Sequence, residues 1–287
     1  MIVKNKPTRL LYILLLAAIM PVNRTNAQFF EGGILIGGSN YIGDLSGKFI
    51  NIGTTRPAAG ILLRYNINQR FTVKGYLGYG RITGADSLST VEYHKQRNLS
   101  FYSDVWEFST QLEFNILPYS FKRYAKKPFV PYVFVGIGVF NYNPTATYQG
   151  KDYELQPLGT EGQGTTQYND LEKYTLTQFC IPFGLGVKKR VSDRWTVGLE
   201  IGARYTFTNY LDDVGGKYAN QQIVARGNGE IAGVLSDRSA EKIGGDPLFK
   251  EGDSRSNKSI DVNDIYIFGG ISVTFRLKKK LQCPSFK

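Results

Sequence analysis

The chain has 287 residues, 35 Lys and Arg against 24 Asp and Glu, a formal charge of +11, two Cys and one His. Two Cys exclude a disulfide-stapled scaffold, and a basic excess dispersed along the chain, apart from Lys278-Lys279-Lys280, excludes the usual nucleic-acid platforms. After the first twenty residues no segment approaches about 18 consecutive apolar residues, which excludes a helical membrane span there.

Lys4, Lys6 and Arg9, the apolar run Leu10 to Met20 and the small-residue site Thr25-Asn26-Ala27 form a secretory signal over residues 1–27. No Cys follows the cleavage site, so no N-terminal lipid is expected. Loss of Lys4, Lys6, Arg9 and Arg24 lowers the charge to +7. An exported chain without an apolar helix is either soluble or a closed β-barrel.

Period-two alternation predicts about eight strands, near residues 29–40, 57–67, 71–82, 99–116, 129–140, 176–189, 195–207 and 264–277. In the third, Phe71, Val73, Leu77 and Tyr79 alternate with Thr72, Lys74, Tyr76 and Gly78. In the fourth, Trp106, Phe108, Leu112, Phe114 and Ile116 alternate with Glu107, Ser109, Gln111, Glu113 and Asn115. The fifth is ambiguous, because Phe129, Val133, Val135 and Ile137 compete with Tyr132 and Phe134 for the outward face. The sixth sets Phe179, Ile181, Phe183, Leu185 and Val187 against Gln178, Cys180, Gly184, Gly186 and Lys188, and a tight turn, Val191 to Arg194, leads to the seventh. There Trp195, Val197, Leu199, Ile201, Ala203, Tyr205 and Phe207 share one face. In the eighth, Ile265, Ile267, Ile271, Val273 and Phe275 oppose Ser272, Thr274 and Arg276.

Connections after the second, fourth and sixth strands are short, and the others are long, the last spanning roughly residues 208–263. A Greek-key sandwich has no reason to alternate in this way, whereas an outer-membrane barrel has short periplasmic turns and long extracellular loops. The expected fold is therefore all-β, an eight-stranded antiparallel outer-membrane β-barrel over residues 28–277 with a basic tail over 278–287 and both termini periplasmic. Its polar faces carry Arg64, Lys74, Arg204 and Arg276 against Glu107, Glu113 and Glu200. Eight strands leave room inside only for side chains, so these charges are expected to pair across the lumen.

Catalytic chemistry is thinly represented. His94 has Asp86, Ser87 and Ser89 close in sequence but no nucleophile motif, and reads as a solvated loop residue. Asp212, Asp213, Asp246, Asp261 and Asp264 do not follow calcium-loop spacing and read as turn and strand-end carboxylates. The glycine-rich stretches Gly32-Gly33, Gly159 to Gly164 and Gly227 to Gly229 precede no evident helical pattern, so no phosphate loop is expected. No enzymatic activity, cofactor or metal is expected.

Four segments carry a resemblance: Gly37-Gly38-Ser39-Asn40-Tyr41-Ile42-Gly43-Asp44-Leu45, Ile181 to Lys188, Tyr205 to Val214 with its Leu211-Asp212-Asp213, and Asn263-Asp264-Ile265-Tyr266. With them the chain resembles the PorG-like outer-membrane proteins of the type IX secretion system, a machinery shared with gliding motility. The resemblance implies a non-enzymatic barrel that anchors or positions a periplasmic ring built by a PorK/GldK-like lipoprotein and a PorN/GldN-like subunit. Two surfaces are candidates for that contact: the turn with Phe121, Lys122, Arg123 and Tyr124, and the tail with Lys278, Lys279, Lys280 and Cys283. Cys180, on the lumen face, lies too far from Cys283 for an internal bridge, so Cys283 is either a free thiol or half of an intermolecular disulfide. Outer-membrane lipids are the other expected partner of the lysine run. The rival readings are a small outer-membrane channel and a surface-binding barrel unrelated to secretion.

Overall fold

The computed structural model describes residues 29–46, 52–120, 128–256 and 263–277. Ten strands run in chain order: β1 (Phe29–Ile42), β2 (Arg56–Asn66), β3 (Phe71–Ala85), β4 (Ser100–Asn115), β5 (Phe129–Asn141), β6 (Pro144–Tyr148), β7 (Lys151–Glu154), β8 (Thr177–Arg190), β9 (Trp195–Thr206) and β10 (Ile265–Leu277). Eight of them, β1 to β5 and β8 to β10, form an antiparallel ring. The ring closes where β1 meets β10, from Phe30 opposite Leu277 to Ile42 opposite Ile265. Closure satisfies every edge that an open sheet would leave bare.

The two faces of the wall are sorted inside out. Ile137 and Phe179 on the outer face are 73% and 70% exposed, while Arg64, Lys74, Glu113 and Lys188 on the inner face are fully buried. The ambiguity in β5 resolves the same way: Tyr132 and Phe134 point into the lumen, and Phe129, Val133, Val135 and Ile137 point out. Aromatic pairs ring both rims of the outer wall. At the short-turn end Phe30 packs on Tyr65, Phe71 on Phe114 and Trp195 on Phe275; at the other end Tyr79 packs on Trp106 and Tyr205 on Phe207. Phe71 and Tyr79 are about 26 Å apart along β3 at ~3.3 Å per residue, which a strand tilt of about 40° reduces to roughly 20 Å along the barrel axis, a little under the apolar band of about 25 Å usual for such barrels.

Short turns have local causes. The Asn68 side chain accepts the N–H groups of Arg70 and Phe71 at 2.7 and 2.8 Å, and Ser192 Oγ accepts those of Arg194 and Trp195 at 3.2 and 3.1 Å. The long connections are not plain loops. A hairpin, β6–β7, extends from β4, and helices α1 (Glu92–Arg97), α2 (Leu155–Leu158), α3 (Gln221–Asn228), α4 (Glu230–Ser236) and α5 (Ser239–Ile243) build a cap. Asn220 caps α3 by accepting the Gln222 and Ile223 N–H groups. Gly233 lets α4 approach α3, since a Cβ there would lie 2.7 Å from Ala225 Cβ. Leu45, Leu99, Leu155, Leu211, Val214 and Leu235 form the buried underside of this cap. The longest connection therefore folds over the mouth of the barrel.

Candidate functional site: a packed lumen and a locked mouth

Alternation aims polar side chains from opposite strands at one another across the short-turn half of the lumen. Glu113 on β4 takes Arg64 Nε at 2.9 Å, Lys188 Nζ at 2.8 Å and Lys74 Nζ at 3.5 Å. Glu200 on β9 takes Lys74 at 2.7 Å, the Tyr132 hydroxyl at 2.7 Å and Arg64 at 3.5 Å. Lys188 also lies over the rings of Tyr119 and Tyr132, and Lys74 over Phe134. In the other half, Arg204 pairs with Glu107 at 2.8 Å, and Ser109 and Tyr266 donate to the same carboxylate. Such charges hold in a dry interior only when each is paired and hydrogen-bonded.

Six of the seven charges read from the sequence thus meet in two networks. Arg276 sits lower, opposite Glu31 in register, with its guanidinium over the Phe29 ring at 4.9 Å. Sequence reasoning placed Lys188 on the polar face but not among the pairing charges, and it missed Glu31 and Tyr119. Tyr119 is the plug of the short-turn mouth: its hydroxyl donates to Glu31 at 2.8 Å and lies 2.7 Å from Thr196 Oγ1, while its N–H donates to the Gln69 carbonyl. A Tyr one residue beyond the Pro of a short connection was the available signal. Phe121, Lys122, Arg123, Tyr124, Lys278, Lys279, Lys280 and Cys283 lie outside the described residues, as does the signal segment.

At the opposite mouth, three of the four segments that carry the resemblance converge. Tyr41 donates to Asp212 at 2.6 Å, and Asp44, Asp212 and Asp264 bring carboxylate oxygens within 4.8 Å of one another. These carboxylates accept from the chain itself: Asp264 from Leu211 N–H, Asp212 from Val214 N–H and Asp44 from Ser256 Oγ. Asp246 is exposed, and Asp261 lies outside the described residues.

Above this mouth Arg255 is the centre of the cap. It binds Thr160 at 2.8 Å, Glu161 at 3.3 Å, Asp213 at 3.5 Å and the Asp213 carbonyl at 2.7 Å. Tyr174 donates to Asp213, Tyr210 to Glu161, and the Gly215 and Gly216 N–H groups also reach Glu161. Two carboxylates share one guanidinium, and burial pushes both Glu161 and Asp213 above the ordinary carboxylate range against the pull of Arg255. Arg97 ties the remaining loops in, binding both oxygens of Asp86 and the carbonyls of Asp44 and Arg255.

His94 has Ser89 Oγ 3.0 Å from its Nδ1, and burial together with Arg97 lowers its pKa. Asp86, held by Arg97 and the Leu99 N–H, serves Arg97 rather than orienting this imidazole. Cys180 is buried, with the Tyr266 hydroxyl donating to its sulfur at 3.7 Å.

The profile of a domain of unknown function, DUF6089, matches residues 8–232. The chain belongs to that family. No curated protein matches it in sequence. Among solved structures, this DUF6089 member is similar to Ail of Yersinia pestis, crystallised with the heparin analogue sucrose octasulfate, at 9% identity over 88% of this chain and 99% of Ail, TM-score 0.39. It is similar to Neisserial surface protein A at 10% identity over 89% and 100% of the two chains, TM-score 0.40. The N-terminal β-barrel of Pseudomonas aeruginosa OprF gives 10% identity over 88% and 100%, TM-score 0.35. The barrel architecture itself rests on the register of the chain's own strands.

Proposed function

We propose that the protein is a non-enzymatic, non-conducting barrel of the outer membrane that anchors or positions the periplasmic, lipoprotein-containing ring of a type IX secretion system. An apolar outer wall between two aromatic girdles supports the membrane setting. The observation that carries the anchoring role over a channel is the lumen, packed with paired charges and stoppered by Tyr119. The same Tyr119 pins the start of the second short connection, its N–H donating to the Gln69 carbonyl. The secretion assignment draws on the PorG-like segments.

Crosslinking in cells followed by identification of the captured proteins tests this reading. Ring subunits are expected, together with a higher-mass adduct without reductant that disappears in Cys283→Ser. Capture of the barrel without any secretion component would assign it another task. One observation favours a second reading, a surface-binding barrel: all four long connections are knitted into one cap through Arg97 and Arg255. Shortening residues 217–256 would then abolish function, whereas a ring anchor would tolerate it.

A further inference from the structure

We propose that the outer wall at the long-loop rim holds one phosphate-bearing lipid, with its phosphate against Arg56 and Arg81 and an acyl chain in a slot over Ala59. This rests on the membrane setting proposed above.

The slot follows from strand register. Trp106, Tyr79, Ala59 and Ile36 lie side by side on β4, β3, β2 and β1, because Tyr79 pairs with Trp106 and with Ala59, and Ala59 pairs with Ile36. The single small residue leaves a notch in this row, floored by strand backbone and flanked by Ile61 and Leu77. The resulting groove is about 340 Å³. A flat apolar wall would carry no such preference for one chain.

One strand step toward the long loops lies a second groove of about 640 Å³, lined by Arg56, Arg81, Tyr102, Thr145 and Thr147. Tyr79 lines both grooves, so they adjoin at this side chain. The upper groove is preformed. Arg81 is held to Asp104 through Nε and Nη2 at 2.6 and 2.8 Å and lies over the Tyr102 ring, and the Tyr79 hydroxyl donates to the same Asp104 at 3.0 Å. Asp152 fastens the β6–β7 hairpin by accepting from Tyr102 at 2.9 Å and from Thr147 at 2.6 Å. Arg56 is exposed and has no ion pair among the described residues.

This order, apolar slot, aromatic row, then arginines, follows the order of tail, glycerol or sugar, and phosphate in a lipid. Arg56 suits phosphate because its planar fork donates two parallel hydrogen bonds, while Arg81, whose fork is held by Asp104, adds a fixed guanidinium at the same level. Tyr79 and Trp106 mark the depth of the interface, so the guanidinium groups stand at headgroup level. A free phosphate would use only the upper groove and a neutral lipid only the lower, whereas a phosphorylated lipid fills both.

The test is native mass spectrometry of the full-length, delipidated barrel titrated with diphosphoryl lipid A, diacylglycerol or inorganic pyrophosphate. Retention of lipid A should exceed that of diacylglycerol by about tenfold or more, the scale of one charge-assisted hydrogen bond. Arg56→Gln, which removes a headgroup contact, and Ala59→Leu, which fills the slot, should each lose most of that excess. Leu199→Ala on the far wall should keep it. Equal retention of diacylglycerol, displacement of lipid A by equimolar pyrophosphate, or unchanged retention in both groove variants would overturn the site. Heat-modifiable mobility on gels certifies that each variant is a folded barrel. If the wild type does not fractionate with outer membranes, the reading beneath the site fails; if it fractionates but shows none of the preference, only the site fails.

Discussion

Lys74 on β3 and Glu200 on β9 face each other across the full width of the lumen, with the ammonium 2.7 Å from each carboxylate oxygen. The two strands stand four apart in a ring of eight, so this contact braces opposite walls. Removing one partner strands a buried charge, and Lys74→Met is expected to destabilise the barrel by about 3–5 kcal/mol. The double variant Lys74→Met with Glu200→Leu should recover a large part of that loss, because an apolar pair replaces the ion pair. Urea unfolding in lipid vesicles, followed by the fluorescence of Trp106 and Trp195, measures both. Equal losses in the single and double variants would show that the pair is not the brace described.

A lumen filled in this way is expected not to conduct. Planar bilayer recordings of the purified protein should show no stable steps. Tyr119→Ala should not create them either, since Glu113 with its three cations lies further along the same lumen. A reproducible wild-type conductance would instead favour the channel.

The cap rests on Arg255 as the lumen rests on Glu113. Arg255→Met leaves Glu161 and Asp213 facing each other without their shared cation, and should loosen the cap while the barrel stays folded. Local opening should become easier by ~3 kcal/mol, the scale of a broken buried pair. Limited proteolysis reads this directly: cleavage within residues 207–256 should accelerate while heat-modifiable mobility persists. Protection equal to wild type would remove Arg255 from that role.

The eight barrel strands were legible because each repeats one strong signal, period-two alternation over a dozen residues, and their observed ends lie within three residues of the expected ones. The same signal assigned Glu107, Glu113 and Glu200 to the inside. It did not say which strands face each other at one level, because that depends on the stagger of a closed sheet. The Lys74 to Glu200 contact was therefore invisible in sequence. The hairpin β6–β7 escaped notice because its strands are five and four residues long, too short for alternation to register. The cap helices escaped for a related reason, being eight residues or fewer and held by tertiary contacts rather than by propensity. Asp44, Asp212 and Asp264 are far apart in the chain, and only the closure of β1 against β10 brings their loops together.

The two raised carboxylates of the cap give it a pH dependence with a definite sign. Glu161 and Asp213 have folded pKa values above their unfolded ones, so the closed cap binds protons that the open cap releases. Stability from this source is fully present below the unfolded carboxylate pKa and is lost as pH rises through the raised values. Acidification from neutral pH toward the ordinary carboxylate range should therefore tighten the cap. His94 opposes the trend: burial and Arg97 lower its folded pKa, so its contribution is present above the unfolded value and declines as pH falls. In His94→Gln the acid-induced tightening should be larger than in wild type. Hydrogen exchange of peptides covering residues 158–165 and 210–216, corrected for intrinsic rates, measures the change. If protection in His94→Gln fell on acidification, the two carboxylates would not be sharing Arg255 in the closed cap as the geometry has it.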